Sequence, residues 1–393
     1  MQVQPLETLT FQELEIFKNE KLVTPHLFVL YDTGETEFLA PVIKRLEEQG
    51  KDYRILVMGT AAEVIKNKDL PESKILTLDS LNIEKKVDKT WPRENGLNEF
   101  ELETIHSQLK IFNLISGFAS IIQNQLIKEF KSEARTFVVW DNFAATFSKD
   151  ALAVAKKVQH SAHKVLYPSG YVANSMDNRP DNFAIVGHPS LETFALEFAK
   201  ISPKSVREKL CIPPDQKVMA YLGGWNQDED YRQGFEIFAQ CLTEKTFEDT
   251  LFVIQPHPKC ADGAFEKEMM HKYGVKNFLV PSEKTVNSLE VVAISEGPVI
   301  CHKSSIGVKV ASLGKKIIHI VPEKDEWTNA LIEAHVSPKI SSAGSFKKFI
   351  ESSSDRTIGQ DIYSMMMMPQ NATDCVIAEI EENDSVYSNE LSA

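Results

Sequence analysis

Residues 26–59 read HLFVLYDTGETEFLAPVIKRLEEQGKDYRILVMG, and this stretch decides the fold. His26–Tyr31 is a short apolar run that ends in the polar turn Asp32–Thr33–Gly34. Phe38, Leu39, Val42, Ile43 and Leu46 then recur at helical spacing and stop before Gly50. Tyr53–Met58 is a second apolar run, closed by Gly59. Strand, loop, helix, strand is the unit of a parallel sheet. Runs without polar alternation suit strands that helices cover on both faces.

The same grammar extends outward. Lys74–Leu78 reads as a strand and Leu102–Phe130 as a long, mostly helical segment. Thr136–Trp140 reads as a strand ending at Asp141–Asn142, Ala151–Val158 as a helix, and His163–Tyr167 as a strand. Phe183–Val186 closes this half at Gly187–His188–Pro189. After Ser202–Gln216, a helix and linker containing three prolines, the pattern restarts. Lys217–Leu222 and Thr250–Ile254 are strands, with a helix over Tyr231–Leu242 between them. Asn277–Val280, Pro298–Cys301 and Lys316–Ile320 are further strands, and Ile306–Leu313 is a helix closed by Gly314. The expectation is an α/β protein of two Rossmann-like domains facing a cleft. The first domain covers residues 1–190, a linker 191–215, the second domain 216–370, and a helix with an acidic tail 371–393. Met365–Met368 reads as apolar packing against another element.

A chain of 393 residues suits two domains rather than one core. With 43 Lys and Arg against 56 Asp and Glu, the net charge is −13. That balance argues against non-specific binding to nucleic acid or anionic membranes, while leaving room for a local basic pocket. No apolar run of about 18 residues marks a membrane span, and the first residues lack the pattern of a secretory signal. Cys211, Cys241, Cys260, Cys301 and Cys375 are scattered, an odd set that reads as reduced cytoplasmic thiols.

The loops after the strands carry the chemistry-bearing residues. Gly223–Gly224 follows a strand directly; two glycines let the backbone approach a phosphate or sugar, or simply form a tight turn. Ser304, Ser305 and Gly307 open the helix after Pro298–Cys301. Their hydroxyls and free N–H groups suit a diphosphate or a plain helix cap. Lys309, near that positive helix end, is unfavourable there unless an anion balances it. His257, between Pro256 and Pro258, is held in a narrow range and can donate to a phosphate oxygen. In the first half, Asp32, Glu35 and Asp141 are candidate bases for an acceptor hydroxyl. Each has a structural reading too: turns for Asp32 and Asp141, a helix cap for Glu35. His188 reads as interdomain structure. The histidines have no zinc-site spacing, and no carboxylate pair has the spacing of a metal site.

These loops resemble the GT-B superfamily of nucleotide-sugar glycosyltransferases and UDP-N-acetylglucosamine 2-epimerases. Glu35–Leu46 (ETEFLAPVIKRL), with Glu35 and the pair Ala40–Pro41, resembles the first loop and helix of the epimerases. Val186–Pro189 (VGHP), followed by Glu192, resembles the passage between domains. Ser304–Lys315 (SSIGVKVASLGK) resembles the donor-binding loop and helix. Ser304 and Ser305 stand where the epimerase pattern has glycines, and Val308 and Lys309 where it has glutamates. Gly223–Gly224–Trp225–Asn226 replaces its His-Arg-Arg run. These departures point away from 2-epimerisation.

His257–Pro258 and Ser304–Ser305 are similar to the His-Pro and Ser-Ser motifs of bacterial sialyltransferases and capsule or teichoic-acid polymerases. That resemblance implies that His257 contacts the donor phosphate and the serines hold it. The GT-B resemblance implies that the C-terminal helix near Ala372–Ile380 crosses back onto the first domain. The expected function is a metal-independent glycosyltransferase. Its donor is a nucleotide sugar, with UDP favoured and CMP or CDP also admitted, and it holds no tightly bound cofactor. The acceptor, whether glycan, lipid-linked or protein, is left open. A nucleotide-sugar hydrolase, an epimerase-like enzyme and a non-catalytic nucleotide-sugar-binding protein are the alternatives.

Overall fold

The computed structural model describes residues 22–382 except 86, 88–95, 144–148, 177–178, 244–246, 258–259, 261, 283–284, 303–305, 324–329 and 353–360. The first sheet contains β1 (Leu22–Leu30), β2 (Tyr53–Val57), β3 (Ile75–Leu76), β4 (Leu109–Ser116), β5 (Arg135–Val139), β6 (Lys164–Tyr167) and β7 (Phe183–Ile185). All pairs are parallel, in the order β3-β2-β1-β4-β5-β6-β7. The second sheet contains β8 (Lys217–Leu222), β9 (Thr250–Gln255), β10 (Phe278–Leu279), β11 (Val299–Cys301), β12 (Ile317–Ile320) and β13 (Lys339–Ile340). It is also parallel, in the order β10-β9-β8-β11-β12-β13. Each order reverses direction once, beside β1 and beside β8, and ligands of open parallel sheets sit at such switch points. The two domains form a GT-B-like fold facing a cleft.

The decisive stretch folds as its pattern predicts. Leu27 to Leu30 are wholly buried, and α1 (Thr33–Glu48) buries Phe38, Leu39, Val42, Ile43 and Leu46 against the sheet. The long helix expected over Leu102–Phe130 is corrected. The segment is α2 (Glu99–Gln108), then β4, then α3 (Ile121–Phe130), and β4 lies between β1 and β5. Ile and Leu fit a buried strand as well as a buried helix, so the apolar run alone did not separate them. The separating signals are Gly117 and the capping box of Ser120 with Gln123, which starts α3 afresh. The strand expected at Lys74–Leu78 shrinks to Ile75–Leu76.

The expected linker over 191–215 is also mostly helical. It holds α4 (Ser190–Ala199), with Leu191 and Phe194 buried, and α5 (Pro203–Lys209), capped by Ser202 with Pro203 in its first turn. In the second domain, α6 (Glu229–Cys241) follows β8, α7 (Ala264–Lys272) follows β9, and α8 (Ile306–Ser312) follows β11. Near the end of the chain, α9 (Ala372–Glu381) packs on the first domain. Val376, Ile377 and Ile380 join the core of β1 and α1, and Arg45 meets Asp374 at 2.8 Å. The methionine run has a definite use. Met366 and Met368 are buried, and the Met366 and Met367 carbonyls accept from Tyr171 N–H at 3.3 Å and Gly170 N–H at 3.0 Å.

Candidate active site

Register brings the first-domain candidates together. Val29 of β1 pairs with Ser116 of β4, and Ser116 pairs with Val138 of β5. The chain therefore leaves the three strands side by side, with Asp32, Gly117 and Asp141 just beyond that row. Asp32 caps α1, its Oδ1 accepting from Glu35 N–H at 3.1 Å. Glu35 answers with Oε1, which accepts from Asp32 N–H at 3.2 Å, from Tyr31 N–H and from Gln123 Nε2–H at 2.8 Å. This is a capping box, and Gln123 extends it to the start of α3.

Two glycines make room for the carboxyl groups. A Cβ on Gly34 would lie 1.9 Å from Asp141 Oδ2, and a Cβ on Gly117 would lie 1.4 Å from Glu35 Oε2. Neither glycine has a positive φ, so space rather than backbone freedom demands it. Sequence reasoning noted Gly34 only as part of a turn and missed Gly117, Ser120 and Gln123.

Three acids this close cannot all ionise cheaply. Burial, then the charge of Asp32, pushes the Asp141 carboxyl well above the usual carboxylate range. Glu35 is pushed up by the same two causes in the same order, opposed by its bonds from Gln123 and Tyr31. Asp141 keeps a partial opening to solvent at its edge, whereas Glu35 is 1% exposed and committed to the cap. Of the three, Asp141 combines raised basicity with access.

His188 lies beneath this group. Its Nε2 is 3.1 Å from the Asp141 carbonyl oxygen, and the ring contacts Phe38 and Phe143. Burial, then the Lys309 ammonium, pushes its pKa down to about 3, so the ring is neutral. Lys309 of α8 faces the first domain rather than the start of its own helix. Its ammonium lies 5.7 Å from the Phe194 ring of α4, in the field of Glu37, Lys68 and Glu197.

In the second domain, Leu222 pairs with Gln255 and Cys301, which sets Gly223, His257 and His302 just beyond one row. Gly223 N–H donates to Gln255 O at 2.8 Å, and a Cβ on Gly223 would meet Tyr231 Oη at 3.0 Å and His257 N at 3.3 Å. On Gly224 it would meet the Tyr231 ring at 2.7 Å. The pair of glycines thus packs against Tyr231, whose hydroxyl donates to buried Glu266 at 2.7 Å. A Cβ on Gly307 would lie 3.2 Å from His319 Nε2, so this glycine makes room for a buried ring, a use that no local pattern signals. His257 is half-buried at the rim. Ser304 and Ser305 lie outside the described residues. A cavity of about 400 Å³ opens where the loop after β8 meets α6 and α7, lined by Asn226, Gln227, Arg232 and Phe265. Among the described residues, no group of three His, Cys, Asp or Glu is placed to hold a metal ion, and no helix is long and apolar enough to cross a membrane.

Solved structures share this architecture. The chain is 15% identical to the UDP-GlcNAc 2-epimerase of Neisseria meningitidis, solved bound to UDP-GlcNAc, with a TM-score of 0.60 over 92% of this chain and 100% of that one. A glycosyltransferase of Rickettsia africae gives 11% identity and a TM-score of 0.59 over 91% and 98%. A wall teichoic acid polymerase gives 14% and 0.53 over 94% and 93%. At these identities the likeness establishes the fold. No known family profile matches the chain, and no curated protein matches it.

Proposed function

We propose that the chain is a metal-independent glycosyltransferase that moves a sugar from a nucleotide-sugar donor to an acceptor hydroxyl. The observation that carries the reading is the convergence of Asp32, Glu35 and Asp141 beside the switch point of the first sheet. Asp141 is the base: as the acceptor oxygen attacks, its proton passes to the Asp141 carboxylate. Asp32 raises the basicity of Asp141 and caps α1, and Glu35 holds the loop. The donor lies on the second domain. His257, Ser304 and Ser305, with backbone N–H groups near Gly223, Gly224 and Gly307, meet the charge that grows on the departing phosphate. Lys309 adds positive charge between the domains. UDP is the favoured nucleotide, with CMP and CDP also fitting the His-Pro and Ser-Ser motifs.

A second reading, an epimerase-like reaction, is favoured by the fold shared with an epimerase that binds UDP-GlcNAc. One experiment separates them. A panel of UDP-, CMP-, CDP- and GDP-sugars is scored for thermal stabilisation, then for products with and without an acceptor mixture. Transfer predicts a new glycoside that needs acceptor. A changed sugar configuration without acceptor selects the epimerase reading, and free sugar selects hydrolysis. Binding without any product reduces the chain to a binding protein, and no stabilisation by any nucleotide sugar defeats the donor assignment.

A further inference from the structure

We propose that His188, where the chain crosses between the domains, is a positioning residue for Asp141. This rests on the reading of Asp141 as the base. The Asp141 carbonyl oxygen can only accept a hydrogen bond, so the His188 Nε2 that lies 3.1 Å from it carries the proton. Nδ1 is then bare and accepts from the Ser190 hydroxyl at 2.9 Å. Both nitrogens are committed to the protein, so the ring has no proton to offer a substrate.

The imidazole is also fixed in orientation. It stacks on Phe143 at 5.1 Å and meets the Phe38 ring edge at 4.7 Å, both as centroid distances. Phe38 belongs to α1, which Asp32 caps and which carries Gly34, and Phe143 lies two residues after Asp141. The ring is thus wedged between the two elements whose approach places the Asp141 carboxylate over the bare Gly34. Holding the Asp141 peptide plane from below keeps the carboxylate there against its repulsion from Asp32. The charged groups that act on this pair among the described residues are Asp32 and Glu35 of α1 and Lys309 of α8.

Two substitutions separate positioning from packing. His188→Phe keeps a ring between Phe38 and Phe143 and deletes the N–H donor. His188→Gln deletes the ring and keeps a donor near the place of Nε2. Positioning predicts that His188→Phe loses about 100-fold in kcat with donor affinity unchanged within about twofold, and that His188→Gln keeps most turnover. The opposite ranking would overturn the proposal. Nitrogen-15 NMR of the parent protein stands apart from folding of the variants. The proposal requires a neutral His188 in the Nε2–H form throughout about pH 5–8, and titration in that range or an Nδ1–H form contradicts it. If the parent turns over no nucleotide sugar, the functional reading fails separately. The carboxyl carbon-13 titration of Asp141 then decides: a shift in His188→Phe supports positioning, and an identical titration overturns it.

Discussion

The two sets of strand ends that face the cleft are built on opposite plans. In the first domain, acidic groups are crowded together, and glycines at 34 and 117 give up their Cβ positions to carboxylate oxygens. In the second, the glycines at 223 and 224 give way to an aromatic ring, and the acid nearby, Glu266, is buried under the Tyr231 hydroxyl. Beside it lies a cavity of about 400 Å³ lined by Asn226, Gln227, Arg232 and Phe265. One side holds the electrostatic strain of buried like charges; the other opens a cavity whose lining includes Arg232 and no acid. Strain of that kind persists only where the surrounding structure fixes it, and it suits proton transfer. Room with neutral and cationic lining suits a bulky anion.

The contrast can be broken first at its anchor. Glu35→Ala removes the buried oxygen that accepts from the N–H groups of Tyr31 and Asp32, and leaves the Gln123 amide only its bond to the Val29 carbonyl. Denaturant unfolding should show a loss of about 2–4 kcal/mol; a loss within experimental error would mean that the cap is ornamental. Gly34→Ala comes next. Its methyl must displace the Asp141 carboxylate, so turnover should fall about 100-fold, or ~2.7 kcal/mol, while donor affinity holds. Retained turnover would show that the placement of Asp141 over Gly34 is irrelevant to chemistry.

On the second domain, His257→Ala should weaken the nucleotide donor about tenfold by calorimetric titration, with a larger deficit in kcat/KM if the contact tightens in the transition state. Equal affinity and equal turnover would reduce His257 to loop structure. The smallest effect tests the glycine argument itself. Gly344 sits in the helix Ala343–Ser352 with nothing near its Cβ position and no positive φ. Gly344→Ala should therefore stabilise by about 0.5–1 kcal/mol and leave turnover alone. Destabilisation there would mean that open space around a glycine is a poor guide to tolerance.

How much of this was legible in the sequence differs between the same two regions. The apolar runs at His26–Tyr31, Tyr53–Met58, Lys217–Leu222 and Thr250–Ile254 carry strand identity on their face, since both sides of each strand are covered. Leu109–Ser116 does not, because apolar segments on both sides extend its pattern into helices. Asp32, Glu35 and Asp141 were each readable as strand-end acids, but their convergence depends on β4 lying between β1 and β5. That order of strands is a long-range fact that no local spacing encodes. Gly34 and Gly117 were equally silent, because their neighbours are an acid more than 80 residues away in one case and across two strands in the other. In the second domain, the Gly223–Gly224 step looked like a ligand contact, and the structure gives it a packing partner, Tyr231, seven residues further on.

The most direct test of the account is Asp141→Asn, measured for donor affinity, turnover and thermal stability in one preparation. The native carboxyl is raised above its unfolded value, so folding takes up a proton. Ionised Asp141 therefore costs the fold stability, a cost absent below the unfolded pKa and complete once pH exceeds the native one. Asparagine removes that cost. The account predicts an unchanged donor affinity, turnover reduced by about 100-fold or more, and a Tm about 2–4 °C above the parent's at pH values where the parent is ionised. The gap should close below about pH 4. Full turnover in Asp141→Asn, or a lower Tm with weakened donor binding, would contradict it.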